Sequence, residues 1–312
     1  MRAVTVVDGA LDWREHPDPE PGQGELLVAV RAAGINSADL MQRQGFYPAP
    51  PGSPADIPGL ELAGEVERAG DGVTRFSVGD RVMAVVGGGG QGERAIVHER
   101  HAITVPSNLD WAEAGGFPEV FTTAHDALFT QCELQMGERV CVHGAAGGVG
   151  LAGVQLAAAA GATVVATVRN EALRDKVAAF GATVVAPEAF TEHGPYDVIL
   201  ELVGAPNFPG NLDALALLGR ISIIGLGAGS SVELNLLGLM QKRARMHGSA
   251  LRTRSLEDKA SAARRVERHV LPLLESGAVR VPVAETFPMA EAQAAYERFA
   301  AGGKLGKIVL TT

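Results

Sequence analysis

From residue 138 onward, apolar positions come in short unbroken runs, each closed by glycine and followed by a stretch with helical spacing. Residues 138–143 form one such run, 144–150 are glycine-rich, and 151–161 are rich in alanine and leucine. A second run at 163–167, a helical stretch at about 170–180 and a third run at 183–185 continue the pattern. Runs this short with no polar alternation predict strands buried on both faces, and the repeating order predicts half of a doubly wound parallel sheet. A fourth strand at 196–204, a helix at about 212–217, a fifth strand at 220–225 and a sixth at 246–249 extend the sheet.

The first 115 or so residues read differently. Short β-like runs at 2–7, 25–33, 62–68, 81–86 and 94–97 are separated by turn residues such as Gly70-Asp71-Gly72 and Val78-Gly79-Asp80. Proline-rich stretches at 18–22 and 48–54 lie outside regular elements. The pattern predicts an all-β, partly barrel-like unit with one short helix at 37–42. Gly87 to Gly90 is expected to be a flexible loop, since no helix follows it. Helices are expected at 122–130, 255–276 and 290–301, and a last strand at 307–310.

The glycine cluster carries the first chemical signal. Gly144 and Gly147 permit a tight turn and close approach of a pyrophosphate. Gly148 frees the amides at a helix N-terminus, and Gly150 lets that helix lie close on the sheet. The spacing Ala145-x-Gly147-x-x-Gly150 departs from the dinucleotide fingerprint at its first position, but its strand–turn–helix setting agrees with it. Ala146, Gly147, Gly148 and Val149 are therefore expected to cradle a dinucleotide. The second strand ends Thr167-Val168-Arg169-Asn170, with no acid until Glu171. An NAD site would place a carboxylate there, so NADPH is the expected cofactor, with Arg169 on its 2′-phosphate and Thr167 or Asn170 on the ribose or phosphate.

Composition narrows the partners. The formal net charge of -9 argues against nucleic acid and anionic membranes. Two cysteines are too few for a disulfide framework or a cysteine-based zinc site. The N-terminal run is broken by charge too early for a signal peptide, and no stretch approaches a membrane span, so a cytoplasmic protein is expected.

Several segments together resemble the medium-chain dehydrogenase/reductases. These are Gly34-Ile35-Asn36-Ser37-Ala38-Asp39, Gln42-Arg43-Gln44-Gly45-Phe46-Tyr47-Pro48, and Pro58-Gly59-Leu60-Glu61-Leu62-Ala63-Gly64. His143 to Gly150, Gly248-Ser249-Ala250-Leu251-Arg252 and Gly306-Lys307-Ile308-Val309-Leu310 also match. The chain is similar in particular to the quinone oxidoreductase branch that includes zeta-crystallin. The resemblance implies an α/β fold, a Rossmann doubly wound parallel sheet inserted into a GroES-like, partly barrel-shaped β domain. It places the catalytic domain at 1–116 plus 255–312 and the nucleotide domain at 117–254, with a cleft at their junction and a homodimer formed through the sheet edge. Zinc-dependent relatives carry cysteine where Asn36 stands and histidine where Leu60 stands, so the chain resembles the zinc-free members. The resemblance also implies that Asn36 meets the nicotinamide ribose and Thr122 the pyrophosphate or ribose. Val203, Gly225, Leu251 and Lys307 complete the expected cofactor set.

Without a Lewis acid the acceptor must take hydride unaided, which suits quinones and activated enones. The expected activity is zinc-independent quinone reduction by NADPH. The alternatives are reduction of 2-alkenals or enones, and cofactor binding with little turnover. Tyr47 is the phenol expected at the substrate, as a hydrogen-bond donor or a stacking platform, and Asn36 is its expected catalytic companion. Asn36 is also read as a cap for the helix at Ser37. Asp39 and His125 are read as structural, Glu61 as a buried paired carboxylate, and Lys307 as either a cofactor contact or a solvated lysine.

Overall fold

The computed structural model describes residues 1–312. Strands β1 (Arg2–Val7) and β2 (Ala10–Glu15) form an antiparallel hairpin. Then come β3 (Glu25–Gly34), helix α1 (Ser37–Arg43), β4 (Glu61–Ala69), β5 (Arg81–Val85), β6 (Arg94–His98) and β7 (Ile103–Thr104). Helices α2 (Trp111–Gly116) and α3 (Pro118–His125) follow, and α3 runs on into a wider turn at Asp126–Gln131.

The middle of the chain alternates strands and helices: β8 (Arg139–Val142), α4 (Gly148–Ala159), β9 (Thr163–Thr167), α5 (Arg174–Ala178), β10 (Thr183–Val185) and β11 (Tyr196–Glu201). It ends with α6 (Phe208–Ala214), β12 (Leu215–Ile223), α7 (Leu236–Lys242) and β13 (Arg245–Gly248). The C-terminal segment supplies α8 (Leu256–His269), α9 (Leu271–Glu275), β14 (Val283–Pro288), α10 (Ala292–Ala300) and β15 (Lys307–Thr311).

Contacts divide the chain into Met1–Thr122 with Leu251–Thr312, and Thr123–Ala250. The first division therefore falls inside α3, a few residues after the 116/117 division read from sequence, and the second a few residues before 254/255. In the first unit the sheet runs β14-β15-β3-β4-β5-β7, with β6 also paired to β3. β15 is antiparallel to β3, Val309 facing Gly34 and Leu310 facing Ala33, so the chain's end completes a sheet begun near its start. Leu26, Val28, Ile35, Leu62, Tyr296 and Leu310 share its core. In the second unit the parallel order β10-β9-β8-β11-β12-β13 is doubly wound around β8.

Several elements depart from the sequence pattern. The helix expected at 212–217 ends at Ala214, and Leu215 opens β12, which pairs with β11 from Tyr196 onward. The fourth strand ends at Glu201, and the helix expected at 170–180 is a short turn followed by α5. The helix expected at 255–276 is broken at Val270, because Pro272 has no N–H to continue it and opens α9 instead. Strands β2, β7 and β14 were not legible as runs. Gly87 to Gly90 is buried, not a flexible loop. A Cβ at Gly90 would lie 2.8 Å from the Glu61 carbonyl oxygen, so this glycine is needed for close backbone packing.

Candidate functional site

In the second unit the candidate nucleotide residues gather at the C-terminal ends of β8, β9, β11 and β12, where open α/β sheets bind ligands. Gly144 has φ +62, a conformation that glycine adopts without strain, and turns the chain out of β8. The next turn brings Gly147 to the N-cap of α4, with no side-chain cap and no acid in the first turn. The leading amides, Gly148 and Val149 among them, are thus left facing outward with the positive end of the helix dipole.

Two glycines here do different work. A Cβ at Gly150 would lie 2.6 Å from Ala145 Cα, so packing of α4 on the turn requires glycine. A Cβ at Gly147 would meet only the Gly144 carbonyl oxygen at 3.5 Å, an ordinary contact. Packing does not explain Gly147; a backbone approached closely by an anionic group does. The turn therefore fits a pyrophosphate.

Arg169 is exposed just beyond the end of β9. Its neighbour Glu171 lies 3.9 Å from Arg174 instead, and Asn170 caps the following turn by accepting from Ala172 N. Thr167 is engaged within the unit. It is 2% exposed, and its hydroxyl lies 3.1 Å from His143 Nδ1 while accepting from Gly144 N–H at 3.3 Å. Its one O–H donor is engaged inside the unit. Val203 and Gly225 flank Glu201, whose carboxylate accepts from Val203 N–H and whose carbonyl accepts from Gly225 N–H.

In the first unit Asn36 sits in a closed polar cluster. Its Nδ2 donates to Glu61 Oε1 at 2.9 Å, and its Oδ1 accepts from Lys307 Nζ at 2.8 Å. A carboxylate only accepts and an ammonium only donates, so these two partners fix the amide's orientation. Asn36 is the N-cap residue of α1, and Asp39 accepts from Asn36 N–H at 2.8 Å. Asn36 thus stands at the cap position read for it, in a capping box with Asp39.

Lys307 also lies 2.8 Å from the Ile35 carbonyl oxygen and 2.6 Å from Glu61 Oε1. At 3% exposure it is not a solvated lysine, and its three N–H groups are all used, which leaves none for a cofactor. Glu61 is fully buried and paired, as read from sequence; its other oxygen accepts from Glu119 N–H. Asp39 is fully buried and bonded to two backbone N–H groups, from Asn36 and Gly59. Desolvation pushes its carboxyl up to about 6 despite them. His125 is buried against Phe129, a packed position of the kind read for it.

Tyr47 is half-buried, and the Arg252 guanidinium lies over its ring, 5.0 Å from the centroid. Burial raises the phenol's pKa, with Glu119 adding and Arg252 opposing, which keeps it a neutral donor. Arg252 donates to the Tyr47 and Gly87 carbonyl oxygens, both at 2.7 Å, and to Gln42 Oε1. It is the organiser that sequence reasoning missed; its place in Gly248-Ser249-Ala250-Leu251-Arg252 was the available signal. Beside it Leu251 shares a cavity wall with Thr122, Val85, Ile103 and Lys259. Thr122 is 4% exposed, and its Oγ1 has no hydrogen-bond partner. A buried hydroxyl normally finds one, so Thr122 is equipped for a ligand's polar group.

No group of three or more His, Cys, Asp or Glu side chains is arranged to hold a metal ion. Leu60 is buried in the apolar interior.

Fold and site together define a dinucleotide-dependent oxidoreductase, and comparison with known proteins gives its family. Residues 22–131 match the alcohol dehydrogenase GroES-like domain, and residues 148–268 match the zinc-binding dehydrogenase family. The chain is 32% identical to acryloyl-coenzyme A reductase of Metallosphaera sedula, over 100% of both proteins. It is 30% identical to a quinone oxidoreductase of Pseudomonas aeruginosa, over 96% of this chain and 95% of that one. A mycobacterial protein crystallised with NADPH superposes with a TM-score of 0.87 at 27% identity, over 100% of both chains. The chain belongs to the medium-chain dehydrogenase/reductase superfamily, in its quinone oxidoreductase-like branch. No helix is long and apolar enough to cross a membrane.

Proposed function

We propose that this chain is an NADPH-dependent reductase that passes hydride to quinones without a metal. The observation that carries the reading is the pair of residues at the positions of the family's zinc ligands. Leu60 offers no donor atom, and the Asn36 amide is held by Glu61 and Lys307. An acceptor that must be reduced with no Lewis acid has to be electrophilic in itself, which describes a quinone. NADPH, when bound, supplies the hydride. The chain's own part is binding and orientation: the Gly147 turn for the pyrophosphate, Arg169 for the 2′-phosphate, and the Asn36 and Thr122 oxygens for the nicotinamide side. Tyr47 is offered as a stacking surface and neutral donor for the acceptor's oxygen.

A relative named for acryloyl-coenzyme A reduction, aligned over the whole chain, favours a second reading in which the acceptor is an activated alkene. Oxidation of NADPH with matched panels of quinones and of 2-alkenals and enones separates the two. Turnover with quinones at least about tenfold faster in kcat/KM is expected. Faster turnover of enones supports the second reading, and no turnover with either, with NADPH still bound, leaves a binding protein.

The same proposal includes a homodimer. β13 is an edge strand, and Leu217, Leu218, Leu236, Leu237 and Met240 of the same unit are 52–71% exposed. Exposed leucines in such number beside an open strand edge are suited to a second copy. Light scattering that gives the mass of one chain would exclude it.

A further inference from the structure

Beneath the glycine turn lies a chain of buried polar groups. His143, Glu201 and Asn211 are fully buried, and Thr167 is 2% exposed. His143 Nε2 lies 2.7 Å from Asn211 Oδ1, and Asn211 Nδ2 lies 2.6 Å from Glu201 Oε2. The carboxylate accepts only, so it fixes the Asn211 amide with Oδ1 toward the ring, and that oxygen requires an N–H on Nε2. Burial holds the His143 pKa below its usual value, although Glu201 lies 3.9 Å away. With its one proton on Nε2, the ring accepts at Nδ1, and Thr167 Oγ1, 3.1 Å away, is the donor. Thr167 in turn accepts from Gly144 N–H. At the far end Glu201 Oε1 accepts from Val203 N–H at 2.7 Å and Gly204 N–H at 2.8 Å.

Every donor from Gly144 to Asn211 thus points the same way, toward Glu201, and the chain joins the turn after β8 to the loop after β11. We propose that His143 is a positioning residue for the dinucleotide: as the Nε2–H tautomer it holds the Gly144 turn and the Val203–Gly204 loop in one fixed relation. The glycine-rich signature accounts for the turn's shape but not for what anchors it from below. The inference rests on the reading that NADPH lies at these strand ends. His143 touches no part of the cofactor; it acts through Thr167 and Asn211.

The test is NADPH affinity by fluorescence titration, on variants shown by circular dichroism to be folded. Thr167→Val removes the hydroxyl at nearly constant volume and is expected to raise the Kd about tenfold, the loss of one well-placed hydrogen bond. Thr167→Ser restores the hydroxyl and should stay within about twofold of the parent. His143→Gln keeps a donor toward Asn211 but loses the acceptor for Thr167, and should match the valine variant. If it does not fold, the valine and serine pair decides alone. A purely structural role predicts lower melting temperatures with unchanged Kd, and that result overturns the proposal. So does a nitrogen-15 spectrum showing His143 protonated at Nδ1. A parent protein that binds neither NADPH nor NADH overturns the nucleotide reading and this inference with it; a parent that binds NADPH, with variants that bind equally well, removes this inference alone.

Discussion

Lys307 Nζ lies 2.6 Å from Glu61 Oε1, with both side chains withdrawn from solvent. The two belong to β15 and β4, strands separated in the sheet by β3, so the pair reaches across a strand that is paired to both. Removing one partner leaves the other charge buried and uncompensated. Lys307→Met is expected to cost about 3–5 kcal/mol of unfolding free energy. Urea unfolding measures it, and a loss below about 1 kcal/mol would mean that Glu61 finds another partner or takes up a proton.

Stability against pH carries two opposed contributions. Asp39 has a folded pKa of about 6 against 3.8, so its share of stability is present at low pH and lost as pH rises toward 6. His101, whose ring nitrogen contacts the Leu256 carbonyl, is depressed by burial from 6.5 to about 4. Its share is present above 6.5 and lost as pH falls toward 4. Each is worth roughly 3 kcal/mol, so over pH 4–6 they nearly cancel. Relative to the parent, His101→Gln should lose about 2–3 kcal/mol more on going from pH 4 to 6, and Asp39→Asn should gain by a similar amount. Parallel profiles for all three proteins would refute both assignments.

The two glycines of the turn are expected to fail in different ways. Gly150→Ala drives a Cβ into backbone 2.6 Å away and should cost about 2–3 kcal/mol of stability. Gly147→Ala fits the fold, since its nearest neighbour would be 3.5 Å away, and should melt within a degree or two of the parent. Its methyl group occupies the approach of the pyrophosphate, so KM for NADPH should rise at least about tenfold. An unchanged KM would place the dinucleotide elsewhere.

Arg169 is the specificity prediction. Glu171 faces Arg174, so the guanidinium is not drawn back onto its own segment. Arg169→Ala should raise KM for NADPH by roughly ten- to a hundredfold, the worth of a charge-assisted contact to phosphate, with NADH kinetics nearly unchanged. Equal use of both cofactors by the parent protein would exclude this role.

The order of strands in the second unit was legible because strands buried on both faces read as apolar runs, and glycine marks where each one turns. The same periodicity misread Leu215 to Leu217 as helix. A short apolar run is ambiguous between helix and strand, and pairing with β11 decided it, leaving Leu217 and Leu218 exposed. At the site, sequence identified Gly147, Arg169 and Asn36 as candidates by residue type and context. It could not show how Lys307 and Thr167 are engaged, because a side chain's capacity to bind depends on which neighbours already occupy its donors. Those neighbours, Glu61 and His143, are distant in sequence. The Arg252 anchor was hidden for the same reason: its partners lie at residues 42, 47 and 87.

β15 lies inside its sheet, between β14 and β3, although it is the last element of the chain. During synthesis the continuous segment 123–250 is complete while the first unit still lacks its closing strand. Until residue 307 leaves the ribosome, Glu61 has no ammonium beside it, and one edge of β3 beyond its β4 and β6 pairings stays unpaired. The expected order of maturation on synthesis is therefore middle first and ends together. Loss of residues 307–312 would remove the closing strand and Lys307 together, leaving β3 with an open edge and Glu61 and Asn36 without their ammonium partner.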